Sequence, residues 1–163
     1  MSINMHAYKA IEAVVGSNYI TDDPVDCEGY RSGPGGYESG TGYERVMTKI
    51  AGAVVMPRTT EDVQKVKICR RYKLPFVPYS TGFYGPRSHP HVEHELIIDM
   101  KRMRDFSIDP KHFSITVQPG VIYSQIQQIC FENGAYVVIG GGGAQTSAVA
   151  NLLNDGWSPL SFR

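Results

Sequence analysis

No stretch of this chain approaches the roughly 20 apolar residues that a membrane-spanning helix needs, so no bilayer span is expected. Net charge is missing as well: sixteen Lys and Arg offset sixteen Asp and Glu among 163 residues. No basic cluster stands out of that balance, which argues against nucleic acid and acidic membrane as partners. Cysteine is sparse, with Cys27, Cys69 and Cys130 far apart and no Cys-x-x-Cys, so a disulfide framework is not expected. A reduced, cytoplasmic protein is the natural expectation. The opening Met-Ser-Ile-Asn-Met-His has no basic region followed by an apolar run, and no secretory signal is expected there. The standard nucleotide and hydrolase motifs are absent too. There is no Gly-x-x-x-x-Gly-Lys-Ser/Thr, and the tetraglycine Gly140–Gly143 fails Gly-x-Gly-x-x-Gly because Gln145 or Thr146 stands in the last place. Neither a serine nucleophile elbow nor His-Glu-x-x-His occurs. Any hard chemistry therefore belongs to a cofactor.

What is present is an ordinary globular composition, 42% hydrophobic and 20% charged. A chain of this length buries roughly 70% of its unfolded surface and needs no staples. Glycine is the outlier, with seventeen residues concentrated at 29–42 and 140–143. Tyr8, Ile11, Val14 and Val15 fall at helical spacing before Gly16, which predicts a helix over 6–15. Residues 21–44 interleave glycines with Tyr30, Tyr37 and Tyr43 without periodicity, and read as an extended arm whose tyrosines pack it down. Residues 1–48 are thus expected to form a helix and arm, and 49–163 the main domain.

From Ile50 the pattern sharpens. Ala51 to Met56 is a short apolar strand closed by Pro57, and Thr59 with Asp62 three residues on caps a helix running to Leu74-Pro75. Val63, Val66 and Cys69 share its buried face. Phe76-Val77 is then a strand that breaks into Pro78-Tyr-Ser-Thr-Gly-Phe-Tyr-Gly-Pro-Arg87, small and hydroxylated residues without an acid. Glycine lets backbone approach a ligand closely, and successive amides form a concave donor surface suited to a phosphate or another anion. His89, His91 and His94 follow in a polar connection whose spacing fits no common zinc pattern, so a solvated loop is favoured over a metal site. Leu96–Asp99 is a further strand, and 106–109 pairs with 113–117 as a hairpin. Pro119-Gly120 launches a helix with Ile122, Ile126, Ile129 and Cys130 on one stripe and Gly134 at its end. Tyr136–Ile139 reads as a buried strand entering the tetraglycine, and 148–154 as one or two helical turns. On composition alone the two glycine turns are either opposite walls of one elongated cofactor site or an ordinary turn and a linker.

A resemblance separates these readings. Pro78-Tyr-Ser-Thr-Gly82 resembles the pyrophosphate loop of the FAD-linked oxidases of the vanillyl-alcohol oxidase and p-cresol methylhydroxylase family. Val54-Val-Met-Pro57 with the capped helix, Leu96-Ile-Ile-Asp99-Met-Lys-Arg-Met103, Val117-Gln-Pro-Gly-Val121 and Ala150-Asn-Leu-Leu-Asn-Asp-Gly156-Trp-Ser-Pro159 are similar to its later segments, in the same order. The likeness covers about residues 49–163. It implies an α+β, p-cresol-methylhydroxylase-type FAD-binding fold, comprising the first β-α-β subdomain and the start of the second, with FAD extended between two such subdomains. Amides around Tyr79, Ser80, Thr81, Gly82, Phe83 and Tyr84 would hold the pyrophosphate. Pro119 and Gly120 would lie near the adenine end, and Gly141, Gly142, Ser147 and Asn151 on the other wall. Where covalent family members carry a flavin-linking histidine this chain has Phe83, so attachment in the Ser80–Gly85 loop is expected to be non-covalent. The loop is two residues shorter than the phenol-oxidising pattern. Tyr84 either inherits a phenolate contact or only lines the loop, depending on where the gap falls. The implied activity is an FAD-dependent oxidoreductase passing hydride from a phenolic or 2-hydroxy-acid substrate to flavin. Its remaining FAD and cap segments would lie in a missing half or a second polypeptide. The alternative is a structural or regulatory subunit that keeps the fold without flavin.

Overall fold

The computed structural model describes residues 3–31, 49–66, 68–82, 89–138 and 143–154. They fall into two compact units, Met1–Arg102 and Met103–Arg163.

The first unit is built on a four-stranded sheet in the order β1-β2-β4-β3, comprising Ile20–Thr21, Ala53–Val55, Leu96–Asp99 and Phe76–Tyr79 for β1, β2, β4 and β3. Strands β2 and β3 each run parallel to β4, while β1 pairs antiparallel with β2. All four residues of β4 are buried, as expected of a central parallel strand covered on both faces. Its alternate side chains supply two cores. Leu96 and Ile98 join Ala53, Val55, Val66 and Cys69 with Ile3, Ala7 and Ile11 on one face. Ile97 joins Val54, Val77, Tyr79 and Cys27 on the other. Helix α1, Met5–Val15, covers the first face and starts from Asn4, whose side chain accepts from His6 N at 2.8 Å. Gly16 at φ +89° ends it.

Three expectations change here. The arm predicted from residue 21 begins with a helix, α2, Pro24–Glu28, capped by the Asp23 carboxylate on the amides of Val25 and Asp26. The rest of the arm, including Tyr37 and Tyr43, lies outside the described residues. The helix predicted to run from Thr59 to Leu74 is two short ones, α3 at Thr60–Lys65 and α4 at Ile68–Arg71. The capping box is formed as expected, with Asp62 N donating to Thr59 Oγ1 and Asp62 Oδ2 accepting from Thr59 N, both at 3.1 Å. Strand β3 extends through Pro78 to Tyr79, which had been placed in the loop. Proline is tolerated because β3 is an edge strand, bonded only to β4 among the described residues.

The second unit is a hairpin packed on a helix. Strands β5, Phe106–Asp109, and β6, Ser114–Val117, pair antiparallel in the register Phe106 with Val117 and Asp109 with Ser114. Phe113 sits at φ +49° in the turn instead of opening β6. Phe106, Ile108, Ile115 and Val117 pack against Val121, Tyr123, Ile126 and Cys130 of the segment leading into and along α5, Tyr123–Glu132. Gln125 Oε1 accepts from Ile122 N at 3.2 Å at the helix start, and Gly134 follows the C-cap at φ +69°. The predicted strand at 136–139 is not formed over its described residues: Tyr136 is exposed and 135–138 carry no ladder. Helix α6, Ala148–Asn154, closes the described part of this unit.

Candidate functional site

The loop predicted to hold an anion leaves the carboxyl end of β3, the edge at which open parallel sheets bind ligands. Tyr79 pairs with Asp99 in the last rung of the β3–β4 ladder, and Met100 N donates to Tyr79 O at 2.8 Å. Ser80 and Thr81 are half-buried, and Gly82 is buried at φ +66°. A Cβ at Gly82 would lie 2.6 Å from Tyr79 Cζ and 2.8 Å from Cε2. Only glycine therefore fits this turn, for its backbone and for the ring beneath it. Phe83, Tyr84 and Gly85 lie outside the described residues.

Under the turn is a polar cluster with no counterpart in the sequence expectation. Asp99, 1% exposed, accepts at 2.6 Å from the Tyr30 hydroxyl. The Lys101 ammonium lies 2.8 Å from the same carboxylate oxygen and donates to Tyr30 Oη at 2.8 Å. Burial, followed by the Asp99 bond, pushes the Tyr30 phenol far above its ordinary range. Burial, with the Asp99 charge behind it, also raises that of Tyr79, so both remain neutral donors at working pH. His89, expected in a solvated loop, is 3% exposed. Its Nδ1 lies 2.7 Å from Tyr30 O. A carbonyl can only accept, so the proton sits on Nδ1. Glu95 is buried too, accepting from the amides of His91 and Val92. Among the described residues no group of three His, Cys, Asp or Glu could hold a metal ion.

The second unit gathers Pro119, Gly120, Ser147 and Asn151. Ser147 Oγ donates to Pro119 O at 2.7 Å and accepts from Ala150 N at 3.2 Å. Ile122 and Ser147 form an isolated antiparallel bridge. The Tyr123 hydroxyl donates to Asn151 Oδ1 at 3.0 Å, with Asn151 1% exposed. Between them Thr146 is fully buried, and its hydroxyl has no hydrogen-bond partner among the described residues. Gly141 and Gly142 lie outside the described residues. An apolar pocket of about 420 Å³ opens on this unit, lined by hairpin residues such as Ile108 and Ile115, by Ile126 and Cys130 of α5, and by Val137.

The arrangement suits a diphosphate. The turn at Tyr79–Gly82 carries hydroxyls and no acid, and the buried Asp99 carboxylate is matched by Lys101 and Tyr30, so this carboxylate presents no uncompensated negative charge to an approaching anion.

A family profile described as FAD binding domain matches residues 51–163. The chain belongs to the FAD-binding domain family. FAD is accordingly its cofactor, and the donor set described above fits that group. Among relatives, the flavoprotein subunit of 4-cresol dehydrogenase (hydroxylating) from Pseudomonas putida is 32% identical over 108 residues, 60% of this chain and 20% of that protein. A probable mitochondrial D-lactate dehydrogenase from Danio rerio is 27% identical over 85 residues, 51% of this chain and 17% of that one. The solved structure of p-cresol methylhydroxylase with substrate bound superposes at a TM-score of 0.73 with 24% identity, over 91% of this chain and 29% of that chain. The fold is thus the α+β, p-cresol-methylhydroxylase-type FAD-binding fold. The chain spans about a fifth of the length of the relatives it matches.

Tyr30, Asp99 and Lys101 were missed as site residues because their meeting is non-local: Tyr30 and Asp99 are 69 positions apart. The available signal was the lone carboxylate ending the apolar run Leu96–Asp99, which cannot stay buried without partners.

Proposed function

We propose that this chain supplies the pyrophosphate-side portion of the FAD site in an oxidoreductase acting on a phenolic or 2-hydroxy-acid substrate. When bound, the flavin supplies the hydride acceptor. The chain's own residues bind and orient. The amides of Tyr79, Ser80, Thr81 and Gly82, with Phe83 and Tyr84 beyond them, hold the pyrophosphate without a covalent link. Pro119 and Gly120 bear on the adenine end, and Gly141, Gly142, Ser147 and Asn151 on the remaining cofactor contacts. The observation that carries the reading is the Gly82 turn at the carboxyl end of β3, over a carboxylate already neutralised. Substrate contacts and the rest of the flavin environment come from further polypeptide, continuing this chain or separate from it. The relatives' length supports this, since this chain matches about a fifth of it. A cytoplasmic location belongs to the same proposal, supported by three buried free thiols.

The test is FAD titration of the 163-residue chain by flavin fluorescence, alongside Gly82→Glu. Saturable binding that Gly82→Glu abolishes is the expected result, since a carboxylate in the turn repels the diphosphate and clashes with Tyr79. Failure of both proteins and of the assembled complex to bind FAD would show instead a subunit that keeps the fold without flavin, and equal saturable binding would remove the Gly82 turn from the site.

A further inference from the structure

The segment that holds the proposed cofactor loop, 80–88, is bounded by two buried aromatic residues, Tyr79 before it and His89 after it, with ring centroids 6.3 Å apart. Both dock on one residue of the N-terminal arm. The Tyr30 ring meets Tyr79 edge-on at 4.9 Å between centroids, and the Tyr30 carbonyl accepts from His89 Nδ1 at 2.7 Å. The Tyr30 hydroxyl is fixed in turn by Asp99 at 2.6 Å and Lys101 at 2.8 Å. The Lys101 ammonium also lies 5.4 Å from the Tyr30 ring centroid. Tyr79 is the ring on which Gly82 rests. From Tyr30, contacts therefore run to the loop's entry, to its exit and, through Tyr79, to its glycine turn.

We propose that Tyr30 is a positioning residue for the cofactor-binding turn Tyr79–Gly82, holding that turn and His89 from outside the region that matches the FAD-binding family. It acts through Tyr79 and His89 and touches no cofactor atom. A purely structural arm residue would hold one core; Tyr30 reaches both flanks of one loop and the strand end below it. The arm is then part of the binding site's architecture. Its sequence is expected to matter for cofactor affinity even though it lies upstream of residue 51, where the family match begins.

The experiment is amide hydrogen exchange on the 163-residue chain without FAD, for the parent protein, Tyr30→Ala and Tyr30→Phe, followed by FAD titration of each. Tyr30→Ala is expected to speed exchange at 79 and 80–82 by about tenfold, the scale of one lost aromatic pair in a local opening, with β2 and β4 unchanged. Every variant keeps the residue-30 carbonyl that His89 bonds; Tyr30→Phe also keeps the ring, and is expected to stay within about threefold of the parent. If Tyr30→Ala does not fold, Tyr30→Leu, which keeps apolar bulk without the edge-on ring, is read by the same criterion. Unchanged loop exchange, or equal acceleration across β2 and β4, would overturn the proposal. The FAD arm rests on the functional reading above and separates the two. Loop-specific exchange with no FAD binding by the parent protein sinks that reading and leaves the positioning role. FAD binding that Tyr30→Ala leaves intact, with unchanged exchange, does the reverse.

Discussion

At the scale of single residues, the proposed site turns on Gly82 and the ring beneath it. A side chain there meets two separate obstacles, a φ of +66° that L-residues rarely adopt and the Tyr79 ring within 3 Å of the added carbon. Gly82→Ala is therefore expected to cost about 2–4 kcal/mol, left-handed strain plus overpacking, measured by urea denaturation of the full chain. Combining it with Tyr79→Leu should recover only the packing share, because the backbone strain remains whatever lies below. Full recovery would mean that the left-handed turn itself is cheap here. The cysteines act at this scale as packing residues. Burial, reinforced by Asp22, Asp26 and Asp23, pushes the Cys27 thiol up to about 11, and burial alone does the same for Cys69, to about 11. Neither is a thiolate near neutrality, so neither is a nucleophile.

At the scale of elements, local chemistry sets the boundaries that were readable and long-range burial sets those that were not. Leu96–Asp99 was legible because a run of apolar residues ending in one acid has few homes other than a central strand, and all four positions are buried. The Thr59–Asp62 box was legible because both its bonds are local, and it makes a direct prediction. The Asp62 carboxyl is held below its ordinary 3.8, chiefly by the Arg58 amide and then by Thr59. A depressed folded value means stability present above the unfolded value and lost as pH falls through the folded one. Denaturation midpoints should therefore fall on acidification below about pH 4 and fall less in Asp62→Asn. Thr59→Ala should cost about 1 kcal/mol at neutral pH. Helix α2 had a local signal as well, Asp23 at the N-cap and Pro24 at N1, but the glycines that follow masked it. The Tyr136–Val138 segment misled in the other direction: three apolar residues suggest a strand, yet Tyr136 is 65% exposed. His89 was misread for the same reason, since nothing in a His-Pro-His run reveals that Tyr30 and Tyr79 will close over its first member.

At the scale of the whole molecule, no helix among the described residues is long and apolar enough to cross a membrane, and each unit carries its own core. The proposal places cofactor contacts in each unit, so each assignment can fail alone. A ligand that binds only the folded state stabilises it by RT ln(1 + [L]/Kd), about 2.7 kcal/mol at a hundredfold excess over Kd. For a chain of this size that corresponds to a Tm rise of about 5–10 °C. FAD should produce such a shift and slow amide exchange at 80–82 in the first unit and at 120 and 147–151 in the second. Gly82→Glu should abolish the shift and both sets of protection, since a carboxylate in the turn repels the diphosphate. Protection confined to the first unit would leave the loop assignment standing and remove Pro119, Gly120, Ser147 and Asn151 from the site. The buried hydroxyl of Thr146, which directly precedes Ser147, has no hydrogen-bond partner among the described residues. An orphaned donor in a packed interior costs about 1–3 kcal/mol, so Thr146→Val is expected to be close to neutral in urea denaturation without FAD.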